Sequence, residues 1–322
     1  MQELIMEAIL IAIYAVGVGT ISSMVGIGGG VFNTPLLMIV FLLSEQFAPA
    51  TALVAALFLA IASSIAYWRQ DPRPIIPRAG LFLAITTVPG SMIGVSIRIM
   101  IQSPYALRLI FGLALMPVAI RMLFAVKPEK GDIASELAGY TMLDLTDKRM
   151  AISLFGGFIG GLSAGLLGIG GGAVVVPVLA VLMGLPMHAA IATSMFTMMF
   201  TASAGTVMNL LQGYINPYYA IALGIGMLIG AQFGSRLASK VNSVQLKRIF
   251  GVILVFPLVR MMRLGQMWLD PAGTSVLMST IGDIIIWLLI VVPIGLFRLY
   301  QLRKQNNQPI TKSEPLDSLA TK

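Results

Sequence analysis

Gly26-Ile27-Gly28-Gly29-Gly30 interrupts one long apolar stretch of the chain, and Gly168-Ile169-Gly170-Gly171-Gly172 interrupts another. Each glycine costs a helix about 1 kcal/mol relative to alanine, so four in five residues break a helix rather than pack it. Proline follows at the same spacing in both, at Pro35 and Pro177. Proline suits the first turn of a new helix. The pattern predicts a helix, a break and a second helix in each stretch, with Thr34 placed to cap the helix at Pro35.

The two strings belong to a longer repeat. At an offset of 142, Pro35 meets Pro177, Ala50 meets Ala192, Thr51 meets Thr193 and Gln70 meets Gln212. With two residues lost, Gly90 and Gly94 meet Gly230 and Gly234. With one more lost, Leu107, Ile110, Phe111 and Gly112 meet Leu246, Ile249, Phe250 and Gly251, and Arg121-Met122 meets Arg260-Met261. A collinear series of this length is a duplication. It divides the chain into a first repeat over 1–126, a linker over 127–150, a second repeat over 151–264, and a last apolar run with a polar tail over 265–322.

Composition sets the environment. Of 322 residues, 57% are hydrophobic and 11% charged, with a mean hydropathy of +0.92. A soluble domain carries about 25% charged residues. A soluble enzyme and a nucleic-acid binder are therefore excluded as first readings, the net charge of +8 notwithstanding. Cysteine is absent and His188 is the single histidine, so no metal site and no cofactor are expected. Apolar runs at about 49–68, 77–101, 105–126, 188–209, 217–239, 244–263 and 279–299 are each long enough to cross a bilayer. They are continuous rather than alternating, which disfavours a barrel. The fold class is an all-α polytopic membrane protein.

Treating each broken stretch as a hairpin that enters and leaves on one side puts sixteen basic residues on one face and four on the other. The basic face is cytoplasmic by the positive-inside rule. This sets the N-terminus outside, the C-terminus and linker inside, and the two repeats in inverted topology, as alternating-access transporters are built. Arg98 counts among the outer four.

A backbone break is tolerated in hydrocarbon only where it is buried in protein or lines a cavity. Amides preceding a helix N-terminus attract an anion. Two such breaks meeting near the midplane supply a site from Gly28, Gly29, Gly30, Gly170, Gly171 and Gly172. Asn33, Thr34, Thr51, Thr193 and Ser194 stand beside them in sequence. The site is asymmetric, because Asn33 has Val175 as its counterpart. Arg121 and Arg260 are candidates for a gate. His188 reads as an interfacial residue, and Gly90/Gly94 and Gly230/Gly234 as helix-packing pairs. No acid falls near the middle of a repeat span, and only Asp283 lies inside an apolar run. The proton relay common in coupled carriers is thus not evident, nor are the paired aspartates of a membrane protease.

Gly-x-Gly-Gly-Gly-x-x-x-x-Pro, occurring at Gly26–Pro35 and again at Gly168–Pro177, resembles the TauE/SafE family of sulfite and organosulfonate exporters. Ala192-Thr193-Ser194 and the segment 246–255 are similar to it as well. The resemblance covers most of residues 10–264. It implies export of sulfite or an organosulfonate such as sulfoacetate from a bacterial inner membrane. The expected partners are that small anion and the bilayer, with a homodimer left open. Two other readings stay open: an anion channel, and an ion-coupled uptake transporter for a sulfonate or carboxylate.

Overall fold

A computed structural model describes residues 2–44, 46–101, 116, 147–241, 252, 255, 258–260, 262–271 and 275–306. All regular elements among them are helical. The first is α1 (Gln2–Val25), followed by α2 (Gly30–Ile39), α3 (Phe47–Trp68) and α4 (Pro77–Met100). Then come α5 (Asp147–Leu167), α6 (Gly172–Pro177), which continues as a π-helical turn over Val178–Leu182, α7 (Met187–Leu211) and α8 (Pro217–Ala238). Short α9 (Leu264–Leu269) and long α10 (Val276–Asn306) close the series. Six helices (α1, α3, α4, α5, α7 and α8) are long and apolar enough to cross a membrane. The runs at 105–126 and 244–263 lie largely outside the described residues.

The chain divides into two compact units, Met1–Arg263 and Leu264–Lys322. In the second, α9 packs on α10 with Gly265 against Gly282, and the buried Asp283 Oδ1 accepts from the Gly265 amide at 2.9 Å.

Glycine stripes set the packing of the first unit. A methyl group on Gly226, Gly230 or Gly234 of α8 would fall on the carbonyls of Ala12, Val16 and Thr20 in α1. Both series ascend together, so α1 and α8 run parallel with their backbones in contact. On α4, Gly90 and Gly94 meet the carbonyls of Phe158 and Leu162 in α5, while Gly161 and Gly165 meet those of Thr87 and Ser91. That pair is parallel too. The small-residue pairs seen in sequence therefore let backbones touch, and under the repeat offset each pairing maps onto the other.

These directions fix where each stretch returns. α7 carries His188 near its start and Asn209 near its end, about 30 Å apart at 1.5 Å per residue. α1 runs toward the His188 end, its chain reverses at the first break, and α2 leads back to the Asn209 end, where Phe41 stacks on Tyr219 at 4.8 Å. α5 runs toward the Asn209 end, and α6 returns to the start of α7.

Candidate functional site

The helices after the breaks begin earlier than the prolines suggest. Gly29 and Gly171, at φ 74° and 83°, are left-handed N-caps without a side-chain bond, and α2 and α6 start at Gly30 and Gly172. Pro35 and Pro177 therefore lie inside their helices. Lacking an N–H, Pro177 is followed by the wider π-turn, where the Met183 amide reaches the Val178 carbonyl at 3.0 Å. Thr34 does not cap α2. Its hydroxyl donates instead to the Leu167 carbonyl at 3.1 Å, satisfying an orphan acceptor at the end of α5.

Glycine accounts for the rest of the geometry. Gly26, Gly28 and Gly29 have positive φ, and so do Gly168, Gly170 and Gly171 at the same offsets. The two breaks cross antiparallel, backbone on backbone. A methyl on Gly30 would fall on the Gly168 carbonyl oxygen, and one on Gly172 on the Gly26 carbonyl oxygen. At the centre, a methyl on Gly28 would meet the Ile169 carbonyl oxygen at 2.6 Å and the Met198 sulfur. One on Gly170 would meet that same sulfur and Ala56. Met198 stands midway along α7, and Ala56, its counterpart by the repeat, midway along α3. All ten break residues are buried.

Among the described residues, the crossing leaves buried donors without acceptors. Ser22 O accepts from the Gly26 and Ile27 amides, and Gly29 O from those of Phe32 and Asn33. The amides of Gly28, Gly29, Gly30 and Val31 donate to no group among the described residues, nor do those from Ile169 to Ala173. Buried amides are almost always paired in folded proteins. Both sets stand at a helix N-terminus, where the dipole adds positive potential.

Asn33 and Ser22 bring polar side chains to the first break. Asn33 is fully buried, donates weakly to the Met227 sulfur at 3.7 Å, and has an unpartnered Oδ1. The Ser22 hydroxyl, also unpartnered, lies 3.4 Å from where a Gly29 Cβ would stand. The counterparts on the second break, Val175 and Ala164, are apolar. Ser194 Oγ donates to the Gly26 carbonyl at 3.4 Å.

The other expected residues are placed elsewhere. Thr51 Oγ1 accepts from the Asn216 amide and Thr193 Oγ1 from the Ile76 amide, both at 3.0 Å. Asn216 and Ile76 are the N-caps of α8 and α4, so each threonine ties the start of a helix in the opposite half. Arg121 lies outside the described residues. Arg260 is half-buried. His188 is not interfacial in the simple sense: only 8% exposed, it meets the Val241 carbonyl through Nε2 at 2.8 Å. It lines a cavity of about 250 Å³ with Tyr67, Gln70, Ile191 and Ala238. Ile191 also backs the first break, its Cα 3.4 Å from where a Gly26 Cβ would stand, so one wall of the cavity adjoins that break. Sequence reasoning passed over Met198, Met227 and this vestibule. Met198 could have been found as the bulky partner of Ala56 in the repeat.

Residues 11–261 match the family described as Sulfite exporter TauE/SafE. "Probable membrane transporter protein YunE" of Bacillus subtilis (strain 168) is 28% identical over 267 residues, which is 78% of this chain and 95% of the relative. "Probable membrane transporter protein MJ0441" of Methanocaldococcus jannaschii is 28% identical over 260 residues, 75% of this chain and 92% of the relative. A "Probable membrane transporter protein" of Xylella fastidiosa (strain Temecula1 / ATCC 700964) is 27% identical over 244 residues, 74% and 88% of the two chains. No solved structure matches. With most of its length matched, both breaks included, the chain belongs to the TauE/SafE sulfite exporter family.

Proposed function

We propose that this membrane transport protein exports a small sulfur-containing anion, sulfite or an organosulfonate, from the cytoplasm across a bacterial inner membrane. The anion binds at the crossed breaks, held by the amides of Gly28–Val31 and of Ile169–Ala173, with Asn33 making the site asymmetric. The observation that carries this reading is the two sets of buried, unused amides brought together at two helix N-termini. The repeats act as inverted halves. The parallel α1–α8 and α4–α5 pairs, and the return of the two broken stretches to opposite ends of α7, support that relation. Exposed Arg69, Arg73, Arg78, Lys148, Arg149, Arg236 and Lys240 all gather at the His188 end, which favours a cytoplasmic vestibule there.

Export of an anion runs with an inside-negative potential. About 100 mV supplies about 2.3 kcal/mol per charge, close to a fifty-fold gradient, so the carrier works as an electrogenic uniporter. Reconstituted vesicles without a proton or sodium gradient are expected to move sulfite or sulfoacetate when a potassium-diffusion potential is applied. Reversing the potential reverses the flux. Flux that ignores the potential and requires a proton or sodium gradient refutes uniport.

A further inference from the structure

At the Asn209 end the fold buries a cation. Arg98, in the last turn of α4 and one of the four basic residues that the sequence puts on the outer side, is 2% exposed. Its guanidinium donates to the Gly165 carbonyl at 3.3 Å and to the Asn209 side-chain oxygen. Its Nε is buried and donates to nothing. No carboxylate among the described residues pairs with it. A buried cation held only by neutral acceptors is costly to keep, and a protein that needed only a tie between three helices could use an uncharged side chain.

The repeat sharpens the contrast. Under the two-residue loss Arg98 corresponds to Ala238, and at the offset of 142 Asn209 corresponds to Tyr67. Ala238 and Tyr67 line the vestibule at the His188 end. One address is therefore open space at one end and a guanidinium at the other. Gly165, which Arg98 touches, lies one helical turn before Gly168, so the cation stands next to the second break.

We propose that Arg98 is an anion-binding residue of the transport path, receiving the anion between the second break and the Asn209 end. This rests on the reading of the protein as a carrier of small sulfur anions. A sulfite or sulfonate group offers the oxygen acceptors that a planar guanidinium fork matches. Closed, the fork holds Asn209 and Gly165; with anion present, Nε and the freed N–H groups turn to its oxygens.

The test uses the full chain purified in detergent, titrated with sodium sulfite, taurine and sulfoacetate against sodium chloride of equal ionic strength. Wild type is expected to bind at least one probe. Arg98→Lys, which keeps the charge but not the fork, should bind about tenfold more weakly, and Arg98→Gln should show no measurable binding. The melting temperature of Arg98→Gln without anion should equal or exceed that of wild type. Equal binding by Arg98→Gln and wild type, or a large loss of melting temperature in Arg98→Gln, overturns the role of Arg98 alone. Failure of wild type to bind any probe overturns this role and the substrate class together.

Discussion

Replacing Gly30 by alanine tests whether the crossing is what the protein depends on. Gly30 does not have positive φ, so alanine meets no backbone penalty there, and the effect is steric alone. The added methyl falls on the Gly168 carbonyl and within 2.6 Å of the Ile169 Cα. Ordinary contact requires the two breaks to separate by roughly 1 Å, and both sides are backbone with no rotamer to yield. Ile27, Val31 and Ile169, each at most 1% exposed, must shift with them. The expected cost is about 3 kcal/mol, at the upper end for overpacking. That lowers the melting temperature on the order of 10 °C for a chain of this size. Gly172→Ala should behave alike, since its methyl falls on the Gly26 carbonyl. The double variant should cost less than the sum, because one separation of the breaks serves both methyl groups. Gly17→Ala is the control: exposed on α1 with nothing within 4 Å of the new methyl, it should gain up to about 1 kcal/mol of helix propensity. Melting curves and vesicle flux on the four variants decide the matter. If Gly30→Ala melts and transports like Gly17→Ala, the crossing is not the structural and functional centre.

Thr51→Val and Thr193→Val each strand a backbone amide at the start of α8 or α4. Each should cost about 1–3 kcal/mol in melting experiments, with Thr→Ser restoring most of it. Asn33→Val installs the residue of the second repeat and removes a buried unpaired oxygen; the melting temperature should hold or rise while flux falls and discrimination among sulfite, taurine and sulfoacetate narrows. Because the chain has no cysteine, a single cysteine placed within 127–149 reports sidedness directly. It should be labelled by impermeant reagents in inside-out vesicles but not in intact cells, and the opposite result overturns the inverted arrangement.

Duplication made much of this fold legible, because it left the same residues at the same spacing in two places. Two glycine strings, two prolines and two small-residue pairs said where the chain breaks and where helices touch. What escaped depended on partners far away in sequence. The helices start five residues before the prolines because glycine at positive φ can serve as an N-cap, a freedom that a proline-based rule does not anticipate. Thr51 and Thr193 were recognisable as equivalents, yet the amides they accept from belong to the opposite half, 165 and 117 residues away. Arg98 sits two residues from the end of α4, where a long basic side chain would be expected to reach the headgroups. α7, bringing Asn209 across from 111 residues away, and α5, with the Gly165 carbonyl, enclose it.

The departures from the repeat are as informative as the repeat itself. Ala56 faces Met198, Tyr67 answers Asn209, Arg98 answers Ala238, and Asn33 answers Val175. The conserved spacing builds one geometry twice, so that two breaks can meet. A site made of identical halves would present the same groups to both ends of the path. Here the carboxamide lies on the first break and the guanidinium beside the second, while the vestibule lies at the far end from that guanidinium. An anion moving between the two ends would thus meet different chemistry on each approach to the same pair of helix N-termini. Replacing Arg98 should therefore alter apparent affinity more on the Asn209 side than on the His188 side, a difference that oriented vesicles can measure. Equal change on both sides would mean that the divergence between the halves is packing alone.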